Sequence, residues 1–127
     1  MKTVIISQEL DELGGPEEFT SDLTDLVDAD ELEHLQDDGL PIQGTIVSAG
    51  MLLVGKLART KDYDRSKLPR SVDYAFHGEE AMREIVQSML KNTSHYATAG
   101  ETGKVIESYF DGDEPNIKAV VVIEAIE

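Results

Sequence analysis

The sequence predicts a mainly β domain that carries one long insertion with a helix in it. Three observations carry this expectation. Apolar, β-branched runs recur at Val4-Ile5-Ile6, Met51-Leu52-Leu53-Val54 and Val120-Val121-Val122-Ile123, and such runs fit buried strands. Only one segment, 79–90, has strong helical periodicity. The chain has 127 residues, 40% of them hydrophobic and 29% charged, which suits one globular domain with its own core.

Val4-Ile5-Ile6 opens the chain as a short strand, and Leu13-Gly14-Gly15-Pro16 reads as a turn. Residues 17–28 read as loop, anchored by Leu23, Leu26 and Val27. A short helix is expected over 28–37: Asp28 is placed to cap it, Glu31 completes a capping-box spacing, and Asp38-Gly39 ends it. Residues 40–47 read as strand and Ser48-Ala49-Gly50 as a turn. The run 51–58 then reads as one continuous strand buried on both faces. Residues 59–78 are polar and interrupted by Pro69, so they read as a long loop; loops of that length in a compact domain tend to be functional.

The helix at 79–90 has acids in its first turn and Lys91 just beyond its end, both favourable to the helix dipole. Met82, Ile85, Val86 and Met89 fall at i, i+3, i+4 and i+7 and form one apolar face. That face suits either the domain's own core or a partner's surface. Residues 104–106 and 117–126 are β-rich, and Phe110-Asp111-Gly112-Asp113-Glu114-Pro115 is a hairpin-type connection between them.

Charge narrows the function. The formal net charge is −15, so the chain as a whole is not a binder of nucleic acid through phosphate neutralisation. The acids are concentrated in residues 1–40, with 13 of them against the single base Lys2. By contrast Lys56, Arg59, Lys61, Arg65, Lys67 and Arg70 face only Asp62 and Asp64. This basic segment, 56–70, is either solvated surface with internal pairing or a loop that meets an acidic or phosphate partner.

Catalytic patterns are weak. The absence of cysteine removes disulfides, thiolate metal sites and a Cys nucleophile. His34, His77 and His95 have no neighbour at metal-ligand spacing. Ser94-His95 lacks the strained elbow of a nucleophile, and Gly100-Glu101-Thr102-Gly103-Lys104 lacks the remainder of a phosphate-binding loop. Asp111-Gly112-Asp113-Glu114 lacks calcium-loop spacing. No autonomous active site, cofactor site or metal site is expected. No apolar run has the length of a membrane span, and the N-terminus is too short for a signal-peptide core, so a cytoplasmic location is expected.

Several segments, taken in order, resemble the β subunit of bacterial DNA-directed RNA polymerase in its flap, or wall, region. Leu13-Gly14-Gly15-Pro16-Glu17-Glu18-Phe19-Thr20 resembles that subunit's LGPEEIT segment with one extra Gly. Leu32, Leu35, Gly39, Leu40, Gly44, Val47 and Gly50 fall where the family has L..LD..GI...GA.V..G, and Leu52-Leu53-Val54-Gly55-Lys56 matches its ILVGK. Lys91-Asn92-Thr93-Ser94 resembles KDTS, Gly103 with Val105-Ile106 resembles G.VID, and 115–122 resembles PGVLKIVKVYLA. Met51 stands in place of the family's Asp, the TPKG after ILVGK is absent, and Ile85-Val86 stands where the family has Ile-Phe.

The resemblance implies a sandwich-barrel hybrid β fold with an inserted flap-tip-like helix. It implies a single flap-like domain over 1–127, with 59–91 as a mobile tip. The implied function is non-catalytic: docking the C-terminal domain of the σ initiation factor, and elongation factors, beside the RNA exit channel of a nucleotidyltransferase complex. Carried over by position, Ala81, Met82, Ile85 and Val86 dock the partner and Met89 extends their face. Nascent RNA near the basic loop 56–70 is a further implied contact. The chain is much shorter than a whole β subunit, so the domain is expected either as a piece of that longer chain or as a separate gene. A free-standing flap-like regulator that binds σ or polymerase, and an unrelated acidic protein-binding domain, remain the alternatives.

Overall fold

The computed structural model describes residues 1–126. It is mainly β, with 33% strand and 21% helix. Strands β1 (Lys2–Ser7), β9 (Lys118–Glu124), β8 (Gly103–Asp111) and β3 (Ile46–Val47) form one antiparallel sheet in that order, curled into a half-barrel. Two smaller sheets complete the body: β2 (Glu18–Phe19), β5 (Lys56–Arg59) and β6 (Leu90–Asn92) form one, and β4 (Leu52–Val54) with β7 (His95–Tyr96) forms the other.

The apolar run 51–58 is two strands, not one. β4 pairs with β7, whereas β5 pairs with β2 and β6. The break is at Gly55, where three chain segments meet. Thr20 N–H donates to Gly55 O at 3.0 Å and Gly55 N–H to Gly39 O at 2.8 Å. A Cβ on Gly55 would lie 2.1 Å from Thr20 O, and one on Gly39, whose φ is +87°, would lie 2.5 Å from Gly55 O. Only glycine allows backbones to cross this closely.

Every residue from 52 to 58 is buried because the run lies between two cores. Leu53 and Val54 join Val4, Val105, Val121 and Ile123 under the curled sheet. Leu52 and Leu57 join Leu23, Leu32 and Leu35 on the other side. Burial on both faces therefore holds, and a change of pairing partner is added to it.

Other elements depart from expectation. The helix expected over 28–37 is only a 3-10 turn at Ala29–Glu31, and the Asp28 side chain makes no capping bond. Leu32 and Leu35 are still buried, as loop anchors. The strand expected over 40–47 shrinks to Ile46–Val47. The loop expected over 59–78 contains a second helix, α1 (Ser71–His77). Its start is fixed by Asp73, whose Oδ2 accepts the Arg70 N–H at 2.7 Å. Gly78, with φ +85°, separates it from α2 (Glu79–Met89). Because β5 and β6 pair antiparallel up to Arg59↔Leu90, the two helices form the elaborated end of a β-hairpin.

Candidate functional site

The helical hairpin is the candidate docking site, and its outward surface differs from the one that periodicity suggested. Met82, Val86 and Met89 are buried, at 7%, 6% and 3% exposure. They face the domain's own chain: Met82 stands beside Leu68 and Pro69, and Val86 beside Leu26, Pro69 and Leu90. Met89 Sδ accepts the Asp64 N–H at 3.4 Å. Among the five residues carried over from the resemblance, only Ala81 and Ile85 are exposed, Ile85 at 38%. The structure thus divides that group, turning three residues inward and two outward.

The apolar surface left outside includes two residues that sequence reasoning passed over. Val72 is 51% exposed and Phe76 is 80% exposed. They stand at i and i+4 on α1 and so share one face. The missed signal lay in the pattern Ser71-Val72-Asp73-Tyr74-Ala75-Phe76-His77-Gly78, which has an acid in its first turn and a Gly stop.

The hairpin is tied to the body at a few polar points. Tyr74 donates its hydroxyl to Asp25 Oδ2 at 2.8 Å and Gln87 Nε2 donates to Asp25 O at 3.0 Å, while within the hairpin Thr60 Oγ1 donates to Ser88 O at 2.8 Å. Burial and then the facing Asp25 carboxylate push the Tyr74 phenol up to about 12. Tyr74 therefore stays a hydrogen-bond donor at neutral pH.

The basic segment 56–70 divides in the same way. Lys56 is buried, and its ammonium pairs with the equally buried Glu17 at 2.8 Å and donates to Ser7 O at 3.2 Å. Glu17 Oε1 also accepts the Glu9 N–H at 2.8 Å, while Gln8 Nε2 donates to Glu17 O at 2.6 Å. The buried Thr93 hydroxyl faces the same carboxylate without good hydrogen-bond geometry. Burial alone would raise the Glu17 carboxyl, but the Lys56 ammonium and the Glu9 N–H outweigh it and hold the group below its usual range. Arg59 Nε donates to Asp11 Oδ2 at 2.7 Å and its guanidinium stands over the Tyr63 ring. That pairing, with the Gly15 and Leu13 N–H groups, lowers the Asp11 carboxyl.

Lys56 and Arg59 therefore clasp the body together. Lys61, Arg65, Lys67 and Arg70 are exposed and make no ion pair among the described residues. They remain on the hairpin's approach as the available positive charge.

His95 and His34 have polar partners in the body, whereas His77 is exposed at the end of α1. His95 Nε2 meets Glu101 Oε1 at 2.8 Å, where Glu101 also accepts the Thr98 N–H. His34 Nε2 meets the Leu52 carbonyl. No group of three metal-ligating side chains occurs among the described residues. No helix among them is long and apolar enough to cross a membrane. Comparison with protein-family models finds none that matches the chain.

Proposed function

We propose that this chain is a non-catalytic flap domain of a DNA-directed RNA polymerase β subunit, and that its helical hairpin docks the C-terminal domain of a σ factor. The observation that carries the reading is the pairing of a hairpin-end insertion with outward apolar side chains. Val72, Phe76 and Ile85 are exposed on helices that sit between paired strands β5 and β6. The ordered resemblance from Leu13 to Val122 supports the same reading, as does the mainly β body.

The mechanism is mechanical. Glu17–Lys56 and the Gly39/Gly55 crossing hold the roots of the hairpin in fixed register. Two polar ties to Asp25 and the buried face of α2 hold the hairpin on the body, so its outward side chains are presented from a fixed base. Burying the outward Phe76 side chain supplies about 1.5–3 kcal/mol, and the part-covered Ile85 a fraction of that, before ordering costs.

The test is a titration of the full chain with the σ C-terminal domain encoded in the same genome. Phe76→Asp with Ile85→Asp is expected to weaken binding at least about tenfold, which is about 1.4 kcal/mol, in a chain that still unfolds cooperatively. Equal binding by the double variant overturns the reading.

A further inference from the structure

The hollow between the approach to α1 and the helix α2 has a floor and a rim of different chemistry. Its floor is Leu68, Pro69, Met82 and Ile85; Lys67 and Arg70 stand on its rim. The acid at this rim, Asp73, has one carboxylate oxygen taken by the Arg70 N–H at 2.7 Å. Lys67 and Arg70 are exposed and make no ion pair among the described residues, and Arg65 and Lys61 add positive charge along the chain, with Asp62 and Asp64 between them.

The rest of the molecule has the opposite sign, with a total of −15. At physiological salt, charges further away than about 8 Å are largely screened. The local rim therefore decides what approaches. A basic rim around an aliphatic floor complements a segment that carries acids beside a branched apolar side chain. His77 lines the hollow, with no Phe, Tyr or Trp among the described residues there, so the hollow offers a base little stacking surface.

We infer that this hollow receives an acidic segment of a partner protein, anchored by one aliphatic side chain between Leu68, Pro69, Met82 and Ile85 and steered by Lys67 and Arg70. The inference rests on the docking reading above and narrows the partner's chemistry. Ile85 belongs both to this hollow and to the outward apolar surface, so the two docking features share a residue. Lys67 and Arg70 set the association rate and its salt dependence, whereas Ile85 sets the lifetime of the complex.

The test uses the full chain and three fluorescent probes: a helix-forming synthetic peptide of Leu and Glu, its counterpart with Lys for every Glu, and a single-stranded oligouridine. The acidic peptide is expected to bind at least tenfold tighter than the basic one, and more weakly as salt rises. Lys67→Glu with Arg70→Glu should reduce its affinity about tenfold, and Ile85→Ser should reduce it at every salt concentration. Thermal melts check that each variant is folded, and the exposed rim pair is expected to melt as wild type. Equal binding of the two peptides, tighter binding of oligouridine, or wild-type affinity in the rim variant overturns the inference. Failure of the acidic peptide while the σ domain binds overturns this inference alone; failure of both overturns the docking reading with it.

Discussion

The two ends of the segment 56–70 have the same charge and opposite fates. At its start, Lys56 is buried on Glu17 and Arg59 holds Asp11. At its end, Lys67 and Arg70 face outward beside the exposed Ile85. The first pair belongs to a body that matches both cations with buried carboxylates and closes its apolar run on both faces. The second belongs to a hairpin that leaves charge and apolar surface unmatched. The lesson is that a basic stretch in an acidic chain can be half scaffold and half interface, and burial tells the halves apart.

The largest expected effect lies in the body. Lys56→Ala leaves the Glu17 carboxylate buried without its counter-ion and should cost about 3–5 kcal/mol in urea unfolding. Lys56→Met with Glu17→Gln should recover most of that loss, because the burden is the unpaired charge. If Lys67→Ala were equally costly, the contrast between the two ends would be broken.

Next comes acid sensitivity. Glu17 and Asp11 are held below their ordinary values of 4.5 and 3.8. A lowered carboxyl contributes stability that is present above the unfolded value and lost as pH falls through the folded one. Melting temperature should therefore fall as the pH drops below about 4.5. In Lys56→Met with Glu17→Gln the fall should be shallower; an identical slope would remove the clasp from the account.

A smaller effect is expected at the hairpin's tie to the body. Tyr74→Phe deletes the bond to Asp25 and should cost about 0.5–1.5 kcal/mol, read as faster amide exchange in α1 with little change in β8 and β9. The phenol's raised value of about 12 gives stability that is full below its ordinary value of 10 and lost as pH rises through the folded one. Alkaline loosening of the hairpin should therefore appear between those values in wild type and be absent in Tyr74→Phe.

The smallest stability effect is predicted at Phe76. At 80% exposure, Phe76→Ala should change stability by less than about 0.5 kcal/mol while weakening partner binding. A clear loss of stability would show that the ring is part of the domain's own packing.

Much of the fold was legible because its signals are local. Val120-Val121-Val122-Ile123 lies within β9 as expected, and 79–90 is helical up to Met89. Gly39, read as a helix stop, and Gly55, read as part of one strand, instead mark a crossing of backbones. The short helix at 28–37 failed because a capping-box spacing does not supply a hydrophobic stripe; Leu32 and Leu35 are buried as separate loop anchors. The candidate site was only half legible. An i, i+3, i+4, i+7 stripe says that a face is covered, not what covers it. Met82 and Val86 stand beside Leu26, Leu68, Pro69 and Leu90 of the same chain, and Met89 beside Asp64, while α1 was hidden by a polar stretch after Pro69. The buried Lys56 was visible as a lone cation inside an apolar run, and its partner Glu17, 39 residues away in sequence, was not.

Amide exchange of the full chain with and without the σ C-terminal domain probes the division between scaffold and interface most directly. Protection gained in 65–85, with β1, β8 and β9 unchanged, is the predicted result. Protection gained on the outer face of the curled sheet, with the helices unaffected, would contradict it.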